Sequence, residues 1–299
     1  MHSFVFIGGA PRSGTTLFQK ILSLHSQISA GPEFDHLPGL IRQYSALKKG
    51  LENGRQTFYY DIDGLKQSFR VLIENLLIPK KGLKSLISEK TPDNALVFDQ
   101  LYEIFPDGKF VLIIRDPRAI INSFNDVQRK ARKIGNTKVR IGKSLNHDMS
   151  IVRNSILKGS NFIEKHPSNG MYVYYEDLIQ SPDETVKNVC NFLGIAFEIG
   201  MLETSRRTEI SELADKGQMT ELPFISDLFY KNISNKSLNT WRKSLSWLHK
   251  LIIADYFNQN KLKCLNRYIF ETNGFIGKLI LMLVKIRLYG ALSFKRFVK

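Results

Sequence analysis

The stretch Phe4 to Leu22, FVFIGGAPRSGTTLFQKIL, decides how this chain is read. Phe4 to Ile7 is a short apolar run of strand character, and beyond a Gly-rich turn Leu17, Phe18, Ile21 and Leu22 recur at helical spacing. A strand, a glycine turn and a helix start in that order present backbone N–H groups and a positive dipole end to an anion, which is how phosphates are cradled. The spacing from Gly9 to Gly14 is that of G-x-x-x-x-G-K-[ST], in which the lysine reaches the outer phosphates of a nucleoside triphosphate. Thr15 stands in the lysine position, so the loop calls for a phosphate-bearing ligand of another kind.

Outward from this loop, apolar runs alternate with helical patterns. After a helix to about His25 and the brief ISAG, a helical region covers Phe34 to Leu47. Strands are expected over Ser85 to Lys90, Phe110 to Ile114 and Met171 to Tyr175, with helices over Asn94 to Ile104, after Arg118, and over DETVKNVCNFLG, where Gly194 serves as C-cap. Buried apolar strands separated by helices predict an α/β fold of the P-loop type, a parallel sheet with helices on both faces, whose ligands bind beyond the carboxyl ends of the strands. From Glu198 to Ser237 no period survives and a loop is expected. A helix over Ser246 to Asn258 follows. Residues 1–270 read as one domain and 271–299 as a C-terminal helical extension, basic and apolar.

The 299 residues carry a formal net charge of +15, which fits acidic substrates, nucleic acid or anionic lipid equally. Two cysteines, Cys190 and Cys264, have neither metal-ligand nor redox spacing. The first strand starts close behind Met1, leaving no room for a signal peptide, so a cytoplasmic protein is expected. The tail carries no acid after Glu271, and its apolar run Leu279 to Val284 is too short to span a bilayer. Lys278, Lys285, Arg296 and Lys299 share one helical stripe, which suits a helix packed on the domain or one lying at the inner face of a membrane through 275–299.

The strand FVLII ends in Arg115 before Asp116, so a cation stands where a magnesium-holding carboxylate would stand in a triphosphate enzyme. Such a site grips phosphate through N–H groups, hydroxyls and guanidinium, and no metal is expected. PRSGTTL (Pro11 to Leu17), VLIIRDPRAIINSF and YYEDL resemble the loops of sulfotransferases that use 3′-phosphoadenosine 5′-phosphosulfate, PAPS, and are most similar to tyrosylprotein sulfotransferases and related bacterial enzymes. The resemblance implies that Pro11, Arg12, Ser13, Gly14, Thr15, Thr16 and Leu17 hold the 5′-phosphosulfate. It implies that Arg115 and Ser123 hold the 3′-phosphate, and that Tyr175 lines the adenosine pocket.

Sulfuryl transfer asks a protein to align nucleophile and leaving group and to stabilise charge. Arg12, by its place in the loop, and Lys90, at the carboxyl end of a strand, are the expected cations at the leaving phosphate. The resemblance carries to Lys90 in EKTP, where the family has NKDP, and makes Glu33 in GPEFDH the general base. Read from the residues alone, Glu33 instead follows Pro32 into a helix first turn and complements its dipole; the alternative for Lys90 is a solvated charge before the Thr91-Pro92 turn. His25 reads as a packing or capping residue. Arg118 is either an aid to the 3′-phosphate or the partner of Asp116. Leu238 and Trp241 match the family's closing loop, Thr240 replaces its lysine, and Ser226 lies out of step with its serine.

Between Val127 and Asp148 lie seven Lys or Arg and no acid. Beside the cofactor this stretch would guide an anionic acceptor, an acidic tyrosine peptide or a glycan; otherwise it is a solvated face. Lipid-linked sugars and secondary metabolites also fit. Two rivals remain at this level: a P-loop kinase or phosphotransferase, which needs magnesium, and a non-enzymatic module binding anions or membranes. No specific nucleic-acid partner is expected.

Overall fold

The computed structural model describes residues 3–79, 83–139, 141–206, 233–268 and 270. Five parallel strands form its sheet: β1 (Ser3–Gly9), β2 (Ile28–Ala30), β3 (Leu86–Lys90), β4 (Lys109–Ile114) and β5 (Gly170–Tyr174). Their order is β2-β3-β1-β4-β5. The first strand is therefore central, flanked in register by Ile7 with Lys90 and by Ile7 with Val111.

Side chains alternate across this sheet with the period of two that strands impose. Phe4, Phe6, Phe110, Leu112 and Ile114 enter one core layer, and Val5, Ile7, Val111 and Ile113 enter the other. The first layer is covered by α2 (Leu37–Glu52), α3 (Ile62–Leu77), α4 (Phe98–Ile104), α5 (Pro117–Lys133) and α6 (Leu145–Lys165). The second is covered by α1 (Thr15–Ser23), α7 (Tyr175–Gln180) and α8 (Pro182–Leu193). Burial of each such Phe or Ile contributes about 1.5–3 kcal/mol, so the strand ends that bear the site are anchored by the sheet interior.

The expected strands and most helices are present, with shifts that have local causes. The helix expected from Phe34 starts at Leu37 with Pro38 in its first turn, so Glu33 lies outside it. Asn94 belongs to a 3₁₀ turn (Pro92–Leu96) before α4. Tyr175 opens α7 and does not end β5. Gly194 closes α8 at φ 71, as expected of a C-cap. Short α9 (Thr240–Ser244) and α10 (Trp247–Asn260) follow, the latter capped by Ser246 Oγ accepting from His249 N. Ser226, and the tail 271–299 with its packed or interfacial alternatives, lie outside the described residues. Among the described residues no helix is long and apolar enough to cross a membrane.

Candidate active site

The loop after β1 is shaped by its backbone. Ser13 N donates to Ala10 O at 3.0 Å, Arg12 adopts φ 69, and Gly14 adopts φ 108. An added Cβ at Gly14 would lie 2.3 Å from Tyr175 Cδ2, so the tyrosine ring packs directly against the glycine. α1 then begins at Thr15 with no side-chain cap and no acid in its first turn, leaving its first N–H groups to face an anion. Thr15 and Leu17 are themselves buried, Leu17 in the core with Phe18 and Ile21, so at these positions it is the main chain that meets the cradle.

Around this loop the structure gathers the cations expected there. Arg12 Nε donates to Ser123 Oγ at 3.1 Å, from the second turn of α5. Arg115, 8% exposed at the end of β4, donates to Arg12 O at 2.9 Å and to Ser237 O at 3.2 Å, with its guanidinium 4.2 Å from the Tyr175 ring centroid. Tyr175 Oη and Ser237 Oγ are hydrogen-bonded at 2.7 Å. Burial, and after it the charge of Arg115, hold the Arg12 guanidinium below its ordinary value. Among the described residues, Ser13 Oγ and Arg115 Nε are buried without a hydrogen-bond partner. Two like charges brought together and two polar atoms left unpaired are a deficit that an anionic ligand corrects, since buried polar groups are otherwise satisfied.

Lys90, 4% exposed, extends from the end of β3 toward α1 and donates to Thr16 Oγ1 at 3.3 Å and, in a salt bridge, to Glu33 Oε1. Its partner Glu33 has a side chain 34% exposed. The solvated-lysine reading of Lys90 and the helix-dipole reading of Glu33 both give way: the lysine is buried, and the acid precedes α2 and faces Lys90. Asp35 lies beside Glu33, and burial first, then the charge and hydrogen bond of Glu33, push its carboxyl upward.

On the other face of β3, Glu89 is 3% exposed and its carboxyl is pushed up to about 7 by burial, against hydrogen bonds from Thr91, Asn94 and the Phe34 backbone. Glu89 and Ser237 are the site residues that sequence reasoning did not assign. The only signal for Glu89 was an acid in the last pair of an otherwise apolar strand; for Ser237 there was only its proximity to Leu238 and Trp241.

Other expectations resolve simply. Arg118 pairs with Asp116 Oδ2 at 2.8 Å and stacks 4.1 Å from the Trp241 ring centroid, so its role is the strand-to-helix corner. His25 is buried, with Nε2 2.8 Å from Ala196 O. Of the basic stretch, Lys130, Arg132 and Lys133 fall in the last turn of α5, about 20 Å along the axis from its start at the cradle.

Known proteins bear on this geometry as follows. The profile of the Sulfotransferase family matches residues 4–198. A putative protein-tyrosine sulfotransferase of Caenorhabditis briggsae is 27% identical over 241 residues, 80% of this chain and 81% of that protein. Protein-tyrosine sulfotransferase 2 of Gallus gallus is 26% identical over 254 residues, 79% of this chain and 62% of that protein. Among solved structures, the sulfotransferase domain from the curacin biosynthetic pathway shares the fold, at TM-score 0.57 and 19% identity over 86% of this chain and 98% of that domain. With more than half its length matched by the family profile, and with a cationic cradle at the carboxyl ends of its strands, the chain belongs to the sulfotransferase family.

Proposed function

We propose that this protein moves the sulfuryl group of PAPS onto an acceptor hydroxyl, that of a protein tyrosine or a carbohydrate, with Glu33 as general base and without a metal ion. The observation that carries the reading is the meeting of Glu33 with Lys90 beside the loop helix, next to a cradle whose Ser13 Oγ and Arg115 Nε lack partners among the described residues. Main-chain N–H groups of residues 12 and 14–17, with the side chains of Ser13 and Arg12, would hold the 5′-phosphosulfate; Arg115 and Ser123 would hold the 3′-phosphate. The names of the nematode and chicken relatives favour tyrosine as acceptor.

When bound, the co-substrate supplies an activated sulfuryl group on its 5′-phosphate. The work left to the protein is positional and electrostatic. A phenol or alcohol hydroxyl holds its proton far too tightly to lose it unaided at neutral pH, so Glu33 accepts that proton as the new S–O bond forms. Lys90 contacts Oε1 alone, and a carboxylate has a second oxygen that can take the proton. Neutralising Glu33 loosens its hold on Lys90, which with Arg12 then holds the negative charge that grows on the departing phosphate oxygen. The resting salt bridge thus keeps base and cation close until both are needed.

The test is incubation with ³⁵S-labelled PAPS and fractionated acceptors: acidic tyrosine peptides, glycans and lipid extracts. Label on one acceptor class, lost in Glu33→Ala, supports the reading. Tight binding of ATP with magnesium and no binding of adenosine 3′,5′-bisphosphate sinks it.

A further inference from the structure

We infer that Glu89 is a positioning residue that sets the place of Glu33 relative to Lys90; this rests on the reading of Glu33 as the base. Successive residues of a strand point to opposite faces of the sheet. Lys90 points to the α1 face, where it meets Thr16 and Glu33. Glu89 points to the other face, where its Oε1 accepts from Phe34 N at 3.2 Å and from Thr91 Oγ1 at 2.7 Å, and its Oε2 accepts from Asn94 Nδ2.

Two adjacent strand residues therefore hold two adjacent loop residues: Lys90 holds Glu33 by its side chain, and Glu89 holds Phe34 by its backbone. The loop straddles the end of β3 and is pinned on both faces. Asn94 Nδ2 also donates to Ile7 O at 3.1 Å, so the same carboxylate is tied to the strand that feeds the phosphate loop. One buried acid thus joins three segments, each of which carries a reacting or binding group. A carboxyl side chain is suited to this, because its two oxygens carry enough lone pairs to take several N–H and O–H donors at once. An uncompensated buried acid is costly, and a position that served packing alone would be better filled by an apolar residue of similar size.

The experiment compares wild type with Glu89→Ala and Glu89→Gln in four readouts: kcat with ³⁵S-labelled PAPS, calorimetric affinity for adenosine 3′,5′-bisphosphate, thermal unfolding, and hydrogen exchange of the Phe34 amide. Glu89→Ala removes the acceptor from all three donors. It is expected to lower kcat at least fiftyfold, while bisphosphate affinity stays within threefold and Phe34 exchange speeds by at least tenfold. Glu89→Gln keeps a carbonyl for Phe34 N but turns an NH₂ toward a donor, and should fall between, near a tenfold loss of kcat. If Glu89→Ala fails to fold, the glutamine variant decides alone. A kcat within threefold of wild type, or bisphosphate affinity falling in step with kcat, overturns the proposal. A wild type that labels no acceptor but whose Phe34 protection is lost in the variants leaves the clamp standing and fails the sulfuryl-transfer reading instead.

Discussion

Gly14→Ala tests the packing on which the cradle depends. The new Cβ would lie 2.3 Å from Tyr175 Cδ2, where van der Waals contact begins well beyond 3 Å, and the backbone sits at φ 108. Two costs add: an L-residue at positive φ, about 1–2 kcal/mol, and overpacking against a buried ring, about 1–3 kcal/mol. Urea unfolding of wild type, Gly14→Ala, Tyr175→Ala and the double variant separates them. Gly14→Ala should lose about 2–5 kcal/mol in the wild-type background but only about 1–2 kcal/mol in the Tyr175→Ala background, leaving a coupling of about 1–3 kcal/mol. The clash also displaces the loop, so affinity for adenosine 3′,5′-bisphosphate should fall more than tenfold in the single variant and partly return in the double. Additivity within about 0.5 kcal/mol would refute the contact between ring and loop.

Three further outcomes follow from the site. Arg12→Ala and Glu33→Ala should each nearly abolish transfer; Arg12→Ala should also weaken bisphosphate binding by about 10–100-fold, the worth of a charge-assisted hydrogen bond, whereas Glu33→Ala leaves it within threefold, and a Glu33→Ala enzyme with near-normal turnover refutes the base. Glu89 titrates near 7 in the fold against 4.5 as its ordinary value; the folded state holds this proton more tightly, so the group's contribution is complete below about 4.5 and is lost as pH rises through 7, by about 3 kcal/mol. The stability of Glu89→Gln relative to wild type should therefore rise by that order between pH 5 and 8, and a flat difference refutes it. Turnover measured with chelator and then with added magnesium should be the same within twofold, and a strict magnesium requirement would return the chain to phosphotransfer.

The sheet was legible because its central strands are apolar on both faces, and runs such as FVLII have no other place to go. Helices α3 and α6 were not. On α3 the inward stripe of Ile62, Leu65, Phe69, Ile73 and Leu77 is blurred by the exposed Val71, Leu72 and Leu76, so its one face is hard to see in the sequence. On α6 the contact face includes Ser155, Gly159 and Ser160 among Val152, Ile156 and Ile163, and small residues dilute the apolar period while letting the helix approach Leu112 closely. Arg12, Arg115, Ser123 and Tyr175, named through the family resemblance, do meet around the loop after β1, because their motifs follow the carboxyl ends of β1, β4 and β5. Ser237 was not readable, since its meaning lies in bonds to Arg115 and Tyr175 that span 122 and 62 positions of chain. Glu89 was not, because an acid at a strand end reads as solvated until the loop that covers it is in place.

Arg12 holds its guanidinium on a backbone turned to φ 69, a conformation that glycine adopts freely and an arginine does not. Glycine there would relax the turn by about 1 kcal/mol and delete the charge in the same stroke. It would also cost the bond to Ser123, so the strain of the turn and the grip of the side chain offset each other in the fold, and only a screen that scores turnover would see what the arginine is for.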